Sequence, residues 1–219
     1  MKKKLKLAVI ILAFLSCYLE MKAQNEMQEQ NIGGKATWGI KLETNMSNFF
    51  ISGTSVLDSG MRPGFSGGAF LNVELSGNFS LQGELMYHYK TSVFNRENIK
   101  GRFLYWGMDL PVYAMYQIKM AKESRFYTGI GLYGDFGFSS KLKRGTKTID
   151  LYEKGQISEI SAMKDTNVGL GVIIGYEFTS GLQINAGYKI GIKNILDSNS
   201  NTISLRPSTV SLGIGYRFK

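Results

Sequence analysis

Apolar and polar residues alternate along most of this chain, and the final segment shows the pattern most clearly. Every second residue from Val210 to Phe218 is apolar, and the residues between them are serine, glycine or arginine. A period of two residues is that of a β-strand with two different faces. Seven other segments alternate in the same way, and their apolar rows carry no charge. A strand needs such a face where one side meets lipid, so the pattern predicts a barrel that spans a membrane.

The predicted strands are separated by connections of two kinds. The strands cover residues 36–45, 65–76, 79–90, 103–118, 125–138, 166–178, 182–190 and 209–218. Long polar connections cover 46–64, 91–102, 139–165 and 191–208, and short ones cover 76–78, 119–124 and 179–181. Outer-membrane barrels have long loops at one end and short turns at the periplasmic end. The sequence therefore predicts an all-β fold, an eight-stranded antiparallel up-and-down transmembrane β-barrel over residues 36–219, with both termini periplasmic.

Aromatic residues of the apolar rows fall near the two ends of the predicted strands. Trp38, Tyr116 and Tyr216 lie near the short turns, and Tyr87, Tyr89 and Trp106 lie near the long connections. Amphipathic rings favour the two interfaces of a bilayer. A soluble β-sandwich is the alternative, because it also gives alternating strands. It requires neither aromatic bands nor connections of alternating length.

The first residues are typical of a secretory signal peptide. Four lysines among residues 2–6 precede the apolar run 7–15, which is too short to span a bilayer as a helix. We expect cleavage near Ala23, which makes residues 1–23 a signal peptide and 24–35 a short periplasmic arm. Cys17, the single cysteine, follows a sequence that loosely resembles a lipobox, so a lipoprotein is the alternative. We prefer to place Cys17 in the discarded peptide.

Charge and composition limit the classes of partner. The formal net charge is +9, and several of the basic residues belong to the predicted signal peptide. The remaining basic residues are scattered and are not interleaved with stacking aromatics, which disfavours a nucleic acid partner. No cofactor or metal site is predicted. Outer-membrane lipid is the expected surrounding, lipopolysaccharide is a candidate partner, and we expect a monomer.

Charged side chains of both signs fall in the inner phase of the predicted strands. They are Lys41, Glu43, Glu74, Glu84, His88, Lys90, Asp109, Arg125, Asp135, Glu177, Lys189 and Arg217. An eight-stranded barrel is only wide enough to be filled by side chains, and buried charges must be paired. The pattern favours a sealed polar interior, and a narrow path for water or ions is the alternative. His88, the single histidine, has no catalytic partner that the sequence identifies, so we expect no enzyme activity.

The longest predicted loop, 139–165, has a basic first half. Lys141, Lys143, Arg144 and Lys147 lie there and could contact an anion such as a lipopolysaccharide phosphate. An ordinary solvated loop has the same composition. The favoured role is structural or adhesive, with loops displayed outward. A narrow passive channel is the alternative, and a lipid-modifying enzyme ranks third.

Four segments carry a resemblance to a known family. They are QGELMY at 82–87, DLPV at 109–112, GYKIGIKNI at 187–195 and GIGYRF at 213–218. The chain resembles the small outer-membrane β-barrel domain family of diderm bacteria, often called porin-family proteins. The resemblance implies that Tyr216 and Phe218 belong to a terminal signal read by the barrel-assembly machinery, although Lys219 follows the usual final aromatic residue. It implies no shared catalytic residues.

Overall fold

Antiparallel strands make up almost all of the chain that this computed structural model describes, which is residues 35–53, 57–96, 99–120, 123–152, 163–196 and 204–218. The strands are β1 (Ala36–Ser52), β2 (Leu57–Ser76), β3 (Phe79–Arg96), β4 (Ile99–Lys119), β5 (Arg125–Arg144), β6 (Lys147–Asp150), β7 (Thr166–Glu177), β8 (Leu182–Gly191) and β9 (Ser204–Phe218). Eight of them pair in chain order, and β9 pairs with β1 to close the ring. The short strand β6 pairs with β5 alone. The predicted eight-stranded barrel is confirmed, with β6 as an addition. The predicted signal peptide and nearly all of the arm lie outside the described residues.

The two phases of each strand face opposite sides of the wall, as the sequence predicts. Along β1, Trp38, Ile40 and Leu42 are exposed on the outside, whereas Lys41 and Glu43 are buried inside. The other ring strands repeat this arrangement. Among the described residues, no helix is long and apolar enough to cross a membrane.

One end of the barrel, here called the turn end, holds the short connections and both Ala36 and Phe218. Gly77 and Gly181 sit in two of these turns with φ of 57° and 88°, a region that glycine enters without steric cost. The strand boundaries at this end agree with the sequence prediction to within about a residue. The opposite end is the loop end.

The strands continue much further at the loop end than predicted, which corrects the four long connections. β1 reaches Ser52 and β2 begins at Leu57, so little of 46–64 is loop. Similarly, β3 reaches Arg96, β4 begins at Ile99, β5 reaches Arg144 and β9 begins at Ser204. The backbone ladder needs no apolar outer face once the strand leaves lipid, so the alternation that marks a membrane strand ends before the hydrogen bonding does.

Two irregularities in β4 and β5 shape the wall. The β3–β4 pairing is interrupted between Gly83/Val112 and Met86/Asp109, which leaves Pro111, a residue without a backbone donor, unpaired on that side. Between β4 and β5, Trp106 pairs with Ser139 while the next residue, Gly107, pairs with Gly137. Phe138 is therefore the extra residue of a β-bulge, and the inner and outer phases of β5 exchange beyond it.

Glycines of the inner phase make room for aromatic rings. Gly39 lies opposite Phe70, and Gly169 and Gly175 lie opposite Tyr133 and Tyr127 of the neighbouring strand. A Cβ added at any of the three glycines would overlap the facing ring. These large rings can fill the narrow interior because the positions beside them have no side chain.

Barrel interior and loop end as candidate functional sites

The charged interior residues form three clusters along the barrel, and the first lies at the turn end. Arg125 places Nη1 2.9 Å from Glu74 Oε1 and Nε 3.3 Å from Glu177 Oε1. Arg217 Nε lies 2.9 Å from Glu177 Oε2, and its Nη1 donates to Thr37. Two cations and two anions therefore neutralise one another in this turn-end cluster.

The middle cluster contains one cation between two carboxylates. Lys41 Nζ lies 2.9 Å from Glu84 Oε1 and 3.0 Å from Glu43 Oε1. Gln82 donates a further hydrogen bond of 2.9 Å to the same oxygen of Glu84. All four side chains are buried, so Lys41 holds two carboxylates that have lost water as a partner.

The upper cluster lies nearest the loop end. Lys189 Nζ lies 2.9 Å from Asp109 Oδ2, and Lys90 Nζ lies 2.9 Å from Asp135 Oδ2. The Tyr105 hydroxyl donates a hydrogen bond of 2.5 Å to Asp135. The two aspartates are directly opposed on β4 and β5, so each needs its own cation.

His88 lies between the two aspartates of the upper cluster. Its Nδ1 is 3.9 Å from Asp109 Oδ2 and its Nε2 is 3.6 Å from Asp135 Oδ1, beyond hydrogen-bond distance. The side chain is fully buried and its ring is stacked against Tyr105. Neither ring nitrogen has a hydrogen-bond partner among the described residues.

Three potential metal ligands meet in the upper cluster. Ligand atoms of His88, Asp109 and Asp135 lie within 4.8 Å of one another. Both carboxylates already bind ammonium groups, those of Lys189 and Lys90, at 2.9 Å. A divalent cation would have to compete with both lysines, and it would add two positive charges to a cluster in which two lysines already balance two aspartates. The geometry therefore favours an ion-pair network over a metal site.

Apolar side chains pack together at the loop end of the barrel. We call this cluster the cap, and its buried members are Phe49, Phe103, Leu151, Met163, Ile195 and Leu205. The rings of Phe49 and Phe103 meet edge to face at 5.0 Å. Backbone hydrogen bonds join the segments that carry it, from Leu151 to Ser140 and from Ile195 to Leu205. The sequence does not predict the cap, because five of its six buried residues lie in stretches predicted as polar loops and Phe103 is the first residue of a predicted strand.

A small cavity of about 40 Å³ separates the cap from the upper cluster. Phe49 and Phe103 line it on the cap side, and Lys90 and Asp135 line it on the barrel side. The side chain of Asn167 also lines the cavity, and neither its Nδ2 nor its Oδ1 has a hydrogen-bond partner among the described residues. The volume suffices for a few water molecules, and the lining polar groups can bind them.

The predicted anion-contacting residues lie on the hairpin of β5 and β6, which replaces the first half of the predicted loop. Lys141, Lys143, Arg144 and Lys147 are all exposed. The structure does not bring all four to one surface. Lys141 and Lys143 share a face, whereas Arg144 and Lys147 pair with each other beside the turn, in the phase of Leu142. Leu142 packs against the cap.

The outer surface carries aromatic rings at both ends, as the sequence predicts. At the turn end, the ring centroids of Trp38 and Phe218 are 4.2 Å apart, and those of Phe218 and Tyr216 are 5.3 Å apart. Tyr216 and Phe218, the predicted assembly signal, thus stand at the seam where β9 closes on β1. At the loop end, Trp106 lies 4.5 Å from Tyr89.

Comparisons with known proteins agree with this architecture. The chain matches the family model described as outer membrane protein beta-barrel domain over residues 22–197. A search of curated proteins found no match.

Solved structures with the same kind of fold include three small outer-membrane proteins. Neisserial surface protein A is 15% identical with a TM-score of 0.46, covering 84% of this chain and 99% of that one. OprG from Pseudomonas aeruginosa is 12% identical with a TM-score of 0.49, covering 86% and 97%. Ail, the attachment invasion locus protein of Yersinia pestis, is 15% identical with a TM-score of 0.42, covering 84% and 99%. On the strength of the family match, the chain belongs to the outer membrane protein β-barrel domain family, whose place is the outer membrane of Gram-negative bacteria.

Proposed function

We propose that this protein is a closed outer-membrane barrel that displays its loop-end hairpins at the cell surface, with a structural or adhesive role. The observation that supports it most strongly is the construction of the loop end. The strands continue past the aromatic rings at this end and are held together by the apolar cap. Such a cap gives the exposed hairpin of β5 and β6 a fixed base, as a rigid scaffold does for binding loops.

The interior supports the same proposal. The twelve ionisable inner-phase residues fall into three clusters, each with an ion pair at 2.9 Å. Tyr113, Met115, Tyr127 and Ile173 form a further apolar cluster inside the wall. Interior side chains of both kinds fill an eight-stranded barrel without leaving a wide conduit.

A narrow channel for water or ions is the second candidate. The observation that favours it is the succession of polar clusters from the turn end to the cavity below the cap. Passage would require the cap to open, because its apolar side chains lie between that cavity and the loop end. Enzyme activity is not proposed, since His88 has no hydrogen-bonded nucleophile among the described residues.

An epitope insertion tests whether the loop end is displayed. An epitope placed at Gly145, in the turn between β5 and β6, should bind antibody on intact cells. The same epitope at Gly77, in a turn-end hairpin, is the matched control and should bind only after the outer membrane is permeabilised. Both variants should keep the heat-shifted gel band of a folded barrel. Labelling of the Gly77 epitope on intact cells, or a Gly145 epitope hidden until permeabilisation, would contradict the proposed orientation.

A further inference from the structure

Three basic side chains form a compact group on the outside of the barrel wall near the loop end. Arg102 of β4 is directly opposite Lys143 of β5, and Leu104 is directly opposite Lys141. Arg102, Lys141 and Lys143 are exposed. Opposed residues have Cβ atoms about 5 Å apart, and residues two apart on a strand are separated by about 7 Å. We call these three residues the basic triad.

The bulge at Phe138 puts the two lysines on this surface. Below the bulge, even-numbered residues of β5 such as Leu132 face outward; above it, Ser139, Lys141 and Lys143 do. Leu142, in the opposite phase, packs against the cap. A regular strand would have exchanged the faces of the lysines and the leucine, so the bulge serves both the cap and the triad.

The basic triad lies directly above an aromatic cluster of the outer wall. Trp106 is opposite Ser139, and its ring lies 4.5 Å from Tyr89, 5.6 Å from Tyr87 and 5.7 Å from Phe65. Aromatic rings of this kind mark the membrane interface. Lys141 is two residues above that level, and Arg102 is four residues above it. At about 3.3 Å per residue, reduced by strand tilt, these cations fall at the depth of lipid phosphates.

Like charges on adjacent strands repel one another unless an anion lies between them. Among the described residues, none forms an ion pair with Arg102, Lys141 or Lys143. Asp150 is opposite Lys141 on β6 and can offset one of the three positive charges, although its Oδ1 also accepts a hydrogen bond from the Tyr152 amide. Three cations at phosphate depth, facing away from the barrel axis, suit a ligand that approaches from the bilayer.

We propose that the basic triad binds the phosphate of a phosphorylated lipid headgroup in the outer leaflet. The Arg102 guanidinium offers paired donors to phosphate oxygens, and the two lysines add point charges. The aromatic cluster below offers an apolar surface to the acyl chains of the same lipid. This site is separate from the display role, because it faces the membrane and the hairpin turn faces outward.

The test measures lipid retention by the folded protein in detergent. Native mass spectrometry measures the binding of bisphosphorylated lipid A. Wild type should bind this lipid, and the triple variant Arg102→Gln, Lys141→Gln, Lys143→Gln should bind it at least about tenfold more weakly. The matched control removes three exposed charges elsewhere, with Lys35→Gln, Lys119→Gln and Lys193→Gln, and should retain wild-type affinity. The heat-shifted gel band establishes that each variant is folded.

Two further arms distinguish the source of the phosphate. Wild type and the triple variant should bind dephosphorylated lipid A with equal affinity, because the contacts that the variant loses are to phosphate. Inorganic pyrophosphate should compete only weakly, because it lacks the acyl chains that contact the aromatic cluster. Equal loss of lipid A binding in the triad and control variants, or unchanged binding in the triad variant, would overturn the proposal. Full competition by pyrophosphate would overturn its assignment to a lipid.

Discussion

The membrane-facing part of the barrel buries paired charges beside its apolar side chains, whereas the loop end buries an apolar cluster on the same strands. Along β1, the inner phase holds Lys41 and Glu43 in the barrel and then Phe49 at the loop end. Along β4, the inner phase changes from Asp109 to Phe103. The solvent outside explains the difference. Where lipid covers the wall, charged side chains can be paired inside; where water covers it, an apolar interior stabilises the fold as in a soluble protein.

The largest expected effect comes from removing the single cation of the middle cluster. Lys41→Met leaves Glu43 and Glu84 buried without their cation, and we expect it to lower the free energy of unfolding by about 3–5 kcal/mol. Glu43→Gln is the control, because the ion pair of Lys41 with Glu84 remains and the middle cluster becomes neutral. Urea unfolding in lipid vesicles measures both. A Lys41→Met variant no less stable than Glu43→Gln would show that the interior charges are not closely coupled.

A charge on the outer surface should be costly only where that surface meets lipid. Leu132 and Phe50 are both exposed on the outside, at 64% and 50%, but Leu132 lies near the middle of β5 and Phe50 lies on β1 at the loop end. Leu132→Arg should lower the free energy of unfolding by about 2–4 kcal/mol, the cost of arginine near the midplane of a bilayer. Phe50→Arg should cost less than about 1 kcal/mol. Equal losses of unfolding free energy for Leu132→Arg and Phe50→Arg in vesicles would contradict the placement of the boundary between lipid and water between these two levels.

The smallest effect on global stability is expected in the cap. Phe103→Ala removes a ring that packs on Phe49, yet the barrel below keeps its ladder and its ion pairs. We expect faster hydrogen exchange at the amides of Leu151 and Met163, which donate hydrogen bonds to the carbonyls of Ser140 and Leu151. We expect little change at amides in the middle of β7. Exchange that accelerates equally in β7 would mean that the cap and the barrel unfold as one unit.

The sequence predicts the barrel well because lipid imposes a strict pattern. Every second residue of a membrane strand faces lipid and must be apolar. Segments such as 209–218 can therefore be recognised as strands, and the alternation shows which charged residues face inward. Residues such as Lys41 and Arg217 could therefore be assigned to the interior. Their individual partners could not, since pairing Lys41 with Glu84 or Arg217 with Glu177 depends on strand register.

The loop end was predicted poorly for the converse reason. Phe49 and Leu205 lie in stretches predicted as polar loops, and Phe103 begins the apolar run 103–106. No periodic signal separates the buried residue in each segment from its apolar neighbours. The bulge at Phe138 also left no signature in the sequence. Without it, Leu142 falls in the outer phase and the outward direction of Lys141 and Lys143 cannot be deduced.

Single-channel conductance of the refolded protein in a planar bilayer tests the central claim most directly. A heat-shifted gel band must first show that the barrel is folded. A filled interior beneath an apolar cap predicts no conductance steps, from wild type or from a variant with Glu84→Gln. Reproducible small steps from wild type, with an amplitude that changes when Glu84 or Arg125 is neutralised, would contradict the closed barrel and make the narrow channel its function.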